Sequence, residues 1–194
     1  MRTALVVGGT GLVGGHLVER LLKSDDYSSI TALVRKRSFD LSPKLNEKVF
    51  DFKDEKSFIH IEPHQNVFCC LGTTIKKAGS KEAFRFVDYE LPMRIAKQAE
   101  LNKTESFSIV TSMGADVSSR IFYNRVKGEV EKRIQEFSIP RIQIFRPSLI
   151  MGDRNEFRMG EILGKGLFSI LNPLMIGGAK KYRGIHAEDI AKGM

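Results

Sequence analysis

A chain of 194 residues, 42% of them hydrophobic, is long enough for one sizeable core and too short for two independently stable domains. Its formal net charge of +8 suits nucleic acid, an acidic surface or a phosphorylated ligand. The basic residues are scattered among 23 acids with no aromatic-interleaved stripe, so nucleic acid is not an expected partner, and no apolar segment reaches the length of a membrane span.

In chain order, residues 4–7 read as a first strand, which breaks at Gly8 and Gly9 before a secretory core can form. Residues 11–23 follow with Leu12, Leu17, Leu21 and Leu22 on related faces, the pattern of an amphipathic helix. Further β-rich runs occupy 30–34, 48–52, 66–70, 107–110 and 142–145. Helical patterns span 81–101 and about 120–137, and 54–63 reads as a short helix or irregular crossover. Pro92 inside the 81–101 pattern predicts a kink or an internal helix start. Strand and helix in alternation imply a parallel sheet covered on both faces. Cys69 and Cys70 are adjacent within an apolar run, giving neither a disulfide framework nor a zinc site, and the four histidines lack metal-ligand spacing. With no leader or span read, a reducing, cytoplasmic location is expected.

The chemistry begins where the first strand turns into the first helix. Glycines at 8, 11 and 14 supply what a dinucleotide diphosphate needs: a tight turn, bare backbone for close approach, and a helix packed closely on its strand. The helix N-terminus adds amide donors and partial positive charge. Gly8, Thr10, Gly11, Leu12, Val13 and Gly14 are therefore expected at the diphosphate. About 20 residues beyond the last glycine, NAD-binding proteins place an acid against the ribose. Here the chain reads Arg35-Lys36-Arg37, a cluster able to pair with a 2′-phosphate, so NADP(H) is expected in preference to NAD(H). The alternative is a solvated basic cluster. Asp51 is expected to contact the adenine edge or to cap the turn after it, and Gly72 and Thr73 to border the nicotinamide.

After the fifth run stands Ser112, and eleven residues later Tyr123, followed at one helical turn by Lys127. An ammonium beside a phenol favours loss of its proton, which makes Tyr123 a candidate general acid or base. Ser112 would hydrogen-bond a substrate oxygen, and Lys127 would also hold the nicotinamide ribose. Taken without its position after the fifth strand, a Tyr-x-x-x-Lys pair is simply a solvent-facing one.

Gly8-x-x-Gly11-x-x-Gly14, Thr111-Ser112, Tyr123-x-x-x-Lys127 and Phe145-Arg146-Pro147 with Gly152 together resemble an atypical or extended short-chain dehydrogenase, and the likeness covers nearly the whole chain. The segments 112–116 and 123–131, with Phe145-Arg146-Pro147, are similar to the Tat-interacting-protein group of oxidoreductase-like proteins. The resemblance implies a single doubly wound Rossmann domain, a catalytic set of Ser112, Tyr123 and Lys127, and a coenzyme held by the glycines, Arg35 and Lys127. The fourth polar residue of some superfamily members has no clear match; Asp88 lies in the neighbourhood, but no proton-relay role is expected of it. The stretch after Pro147 is short beside that of sugar-nucleotide epimerases, so a full sugar-nucleotide pocket is not expected. Residues of about 151–182 read as a small lid or as core packing, and 185–191 resembles the approach to a late helix of the superfamily.

The expected function is an NADP-dependent oxidoreductase acting on an unidentified small carbonyl or alcohol. Its alternative is a non-enzymatic NADPH-binding regulator that acts through a protein partner.

Overall fold

The computed structural model describes residues 1–60, 62–152 and 183–194. Six strands form one parallel sheet: β1 (Arg2–Val7), β2 (Tyr27–Val34), β3 (Leu45–Val49), β4 (Asn66–Cys69), β5 (Ser106–Val110) and β6 (Arg141–Phe145). Their order is β3-β2-β1-β4-β5-β6, so the chain winds outward in both directions from the β1/β4 junction. This is the doubly wound arrangement, in which every strand ends at the same edge and a crevice opens where the order reverses.

Alternation along the strands explains why both faces are covered. In β1, Leu5 and Val7 join Val67, Cys69, Phe107 and Ile109 in one apolar cluster, whereas Ala4 and Val6 join Phe68 and Val110 in another. The first cluster is closed by Leu91, Ile95, Ala96 and Ala99 of helix α4 (Leu91–Leu101) and by Val130 and Ile134 of α5 (Phe122–Ile134). The second is closed by Val13, Leu17, Val18 and Leu21 of α1 (Leu12–Lys23) and by Ala187, Ile190 and Ala191 of α6 (Ala187–Gly193). A parallel sheet buried on both faces needs such near-continuous apolar strands. Short strands β7 (Ile150–Met151) and β8 (Ile185–His186) pair in parallel and lead into α6.

The third strand was expected over 48–52, but β3 runs over Leu45–Val49. Phe50 and Phe52 created that shift. They lie past the strand end and pack with Phe58, Phe50 against Phe52 at 4.9 Å and against Phe58 at 5.1 Å between ring centroids. The edge strand itself is half exposed and reads as polar. The interruption expected at Pro92 is found: after α2 (Ile75–Ala78), capped by the Thr74 side chain, the 81–101 stretch begins as α3 (Lys81–Arg85), and a π-helical turn over Phe86–Glu90 joins α3 to α4, which starts at Leu91. Within that turn the Leu91 amide reaches back to the Phe86 carbonyl. Pro92, in the first turn of α4, has no N–H to give to the carbonyl four residues earlier, and its ring would crowd that carbonyl in a regular helix. The wider turn removes the conflict. Residues 55–60 form a 3-10 helix, within the crossover expected there. The lid expected over about 151–182 lies outside the described residues from residue 153 onward.

Candidate active site

The parallel strands deliver their carboxyl ends to one edge, and the residues singled out in the sequence gather along it. Gly8 has φ of +83°, a conformation that side-chain-bearing residues rarely adopt, and a Cβ on it would lie 2.7 Å from the Cys70 carbonyl oxygen. Its own carbonyl accepts from the Gly11 amide at 2.8 Å, closing the turn. A Cβ at Gly14 would stand 2.2 Å from the same Gly8 oxygen, so α1 meets the turn backbone to backbone. Gly11 caps α1 in extended conformation, and no side chain caps the helix. The result is a helix N-terminus at the strand edge with no side-chain cap among the described residues, a cradle that fits a diphosphate and that a Cβ would fill.

One strand outward, the β1/β2 register sets Val7 beside Leu33, so Arg35 emerges next to the glycine turn. Arg35, Lys36 and Arg37 are exposed, and Arg35 makes no ion pair among the described residues. Asp51 is also exposed, and its carboxylate accepts the Lys53 amide at 2.9 Å, the turn-capping bond weighed above against an adenine contact. On the other side of the crevice, β4 runs in register with β1, Val7 opposite Cys69, and delivers Gly72 and Thr73 to the edge. Burial pushes the Cys69 thiol up to about 11, so it is kept as a thiol at neutral pH.

The third group comes from β5 and α5. Ser112 follows β5, and its hydroxyl is buried without a hydrogen-bond partner among the described residues. Tyr123 stands in the first turn of α5 with its ring 5.4 Å from that of Phe84, and its hydroxyl has no hydrogen-bond partner among the described residues. Lys127, one turn further, is buried and its ammonium lies 2.7 Å from Asp88 Oδ1. Burial alone would drive this lysine toward neutrality. The Asp88 carboxylate, the Tyr123 phenol and the hydrogen bond to Asp88 outweigh it and raise its pKa above the ordinary lysine value, so Lys127 is charged. Gly128 lets α5 approach the loop before it: a Cβ there would lie 2.3 Å from the Val117 nitrogen. Arg146 is tied into the scaffold, with its Nε 3.2 Å from Glu131, whose carboxylate also accepts the Thr111 hydroxyl at 2.6 Å.

Asp88 is the residue that sequence reasoning undervalued. Its side chain is fully buried, and besides Lys127 it holds the Thr73 amide, which donates to Oδ2 at 2.8 Å. A signal was available: Asp88 interrupts an apolar stripe of Phe84, Leu91, Ile95 and Ala99, where a carboxylate is costly unless paired. No group of three or more potential metal ligands occurs among the described residues, and no described helix is long and apolar enough to cross a membrane.

The HIM1 family model matches residues 31–175. Protein HTATIP2 of Rattus norvegicus is 33% identical over 174 residues, covering 88% of this chain and 72% of the relative. Mitochondrial protein FMP52 of Candida glabrata is 33% identical over 170 residues, covering 86% of this chain and 71% of the relative. Among solved structures, the Bordetella bronchiseptica enzyme WbmH in complex with NAD+ superposes with a TM-score of 0.74 at 13% identity, covering all of this chain and 71% of that one. The fold is thus shared with WbmH and with a short chain dehydrogenase family protein from Francisella tularensis subsp. tularensis SCHU S4. The relatives also overturn the cytoplasmic expectation, because several FMP52 proteins similar to this chain are mitochondrial. The inference failed because unpaired cysteines separate reducing from oxidising surroundings, not one reducing compartment from another. On the family model and on these identities, the chain belongs to the HIM1 family.

Proposed function

We propose that the protein is an NADP-dependent oxidoreductase that interconverts a small carbonyl compound and its alcohol. The observation that carries this reading is the buried hydroxyl of Ser112, without a hydrogen-bond partner among the described residues, on the edge that also bears Tyr123 and the glycine turn. A buried hydroxyl left unpaired costs roughly 1–3 kcal/mol, a cost removed when a substrate oxygen accepts its hydrogen. When bound, the coenzyme supplies or accepts the hydride. Ser112 orients the substrate oxygen, and Tyr123 gives that oxygen a proton in reduction or takes one in oxidation. Lys127, kept charged by Asp88, is in place to hold the hydroxyls of the nicotinamide ribose. Gly8, Thr10, Gly11, Leu12, Val13 and Gly14 would receive the diphosphate, Arg35 the 2′-phosphate, and Gly72 and Thr73 the nicotinamide half. Asp51, as a cap of its own turn, would border the adenine only through its position.

The test is a carbonyl-substrate screen with NADPH on the wild-type protein and on Tyr123→Phe. Turnover that Tyr123→Phe abolishes, with NADPH affinity kept within about twofold, is the expected result. Tight NADPH binding without turnover on any substrate would reject catalysis and leave the site a coenzyme sensor.

A further inference from the structure

Three exposed cations in a row, Arg35, Lys36 and Arg37, repel one another and on a free loop would spread into solvent. The structure gives that loop two fastenings. From 35 to 41 every residue is exposed except Phe39, whose ring is half buried against the apolar cluster that α1 closes. The place where it lands is the opening glycine turn. Where a Cβ would stand on Gly8, Gly11 or Gly14 the nearest atoms are backbone, but a Cβ on Gly9 would meet the Phe39 ring and a Val18 methyl, each at 3.4 Å. The missing side chain of Gly9 is thus the seat of Phe39, a use that the diphosphate does not give it. The second fastening comes from the edge strand. Glu47, on β3, accepts the Ser38 amide at 2.5 Å, and β3 is held to β2 in register with Glu47 opposite Ala32. The Ser38 hydroxyl donates in turn to the Lys36 carbonyl at 3.0 Å. The three cations are therefore bracketed by the end of β2 at Val34 and by anchors at Ser38 and Phe39.

Resting on the assignment of Arg35 to the 2′-phosphate, we propose that Phe39 and Glu47 are positioning residues that set the coenzyme preference, by holding the Arg35–Arg37 segment against the glycine turn before the coenzyme arrives. They act through that segment. A loop ordered in advance does not have to be ordered on binding, so more of the attraction between cations and phosphate appears as affinity. NADH carries no 2′-phosphate and gains nothing from it. The contact of Phe39 with Gly9 also fixes the spacing between the diphosphate turn and the cations, a spacing that the adenosine ribose fixes on the side of the coenzyme.

The test needs no substrate: NADPH and NADH are titrated into wild type and variants and followed by nicotinamide fluorescence. In Phe39→Ala, NADPH affinity is expected to fall about tenfold while NADH stays within about twofold of wild type. Phe39→Leu keeps an apolar side chain on the seat and is expected to hold NADPH within about threefold of wild type. Glu47→Ala and Glu47→Gln both remove the carboxylate charge, but only glutamine keeps an oxygen to accept the Ser38 amide. NADPH is expected to bind the alanine variant about fivefold more weakly than the glutamine variant, and NADH to bind the two alike. The Glu47 pair decides alone if Phe39→Ala does not fold. Equal weakening of both coenzymes by Phe39→Ala, no weakening of either, or equal NADPH affinity in the two Glu47 variants would overturn the proposal. A wild-type protein that binds NADH as tightly as NADPH would overturn it together with the 2′-phosphate assignment on which it rests.

Discussion

Gly14 and Gly15 are neighbours in the first turn of α1, yet the structure assigns opposite consequences to the same substitution at each. A Cβ at Gly14 would lie 2.2 Å from the Gly8 oxygen, 2.8 Å from the Gly8 carbonyl carbon and 2.9 Å from the Gly9 Cα. All three are backbone atoms, and the closest approach is roughly 1 Å short of a comfortable contact. Overpacking costs about 1–3 kcal/mol, and backbone that cannot swing aside puts this case at the upper end. Alanine returns about 1 kcal/mol of helix propensity, so Gly14→Ala should lose about 2 kcal/mol net. A Cβ at Gly15 meets only the Gly9 oxygen at 3.6 Å, an ordinary contact, so Gly15→Ala should gain most of that 1 kcal/mol. The two variants are expected to differ by about 3 kcal/mol in urea unfolding followed by circular dichroism, or by about 9 °C in midpoint temperature for a chain of this size. Equal stabilities for the two variants would refute the argument that close backbone approach, rather than helix entry in general, dictates glycine at 14.

Arg35→Ala should weaken NADPH at least tenfold while changing NADH by less than about twofold, because only NADPH carries the 2′-phosphate; equal weakening would reject that assignment. His64 is buried, with its ring nitrogens 2.6 Å from the Glu62 carbonyl oxygen and 2.9 Å from the Thr31 hydroxyl, and burial holds its pKa below the ordinary value. The folded state therefore takes up this proton less readily than the unfolded chain, so the stability linked to His64 is complete above pH ~6.5 and is lost as the pH falls through the lower folded value. Urea midpoints of the wild type should accordingly fall between about pH 7.5 and about pH 5 by more than those of His64→Gln; parallel falls would show that the histidine contributes nothing to the acid slope.

Features that rest on local backbone chemistry were legible in the sequence. The glycine turn could be read because only residues without a Cβ permit the positive φ at Gly8 and the contact at Gly14. The six strands could be read because a sheet buried on both faces leaves apolar runs. Where burial and strand pairing part company the reading slipped, as at β3, whose apolar marks Phe50 and Phe52 lie beyond the paired residues. Asp88 was under-read for a different reason. Its partners are Thr73 and Lys127, and no spacing rule reports a contact made only once the helix with its π turn has packed against α5. Compartment was not legible at all, because free thiols and a mixed charged surface serve a protein equally in the cytosol and in a mitochondrion.

The central claim is that the backbone amides where β1 meets α1 hold a dinucleotide. Equilibrium titration of the wild-type protein with NADPH and NADH, followed by nicotinamide fluorescence, tests it most directly. Saturable binding of NADPH, tighter than that of NADH and lost in Gly14→Ala, is the predicted result; a folded protein that binds neither coenzyme would contradict the account.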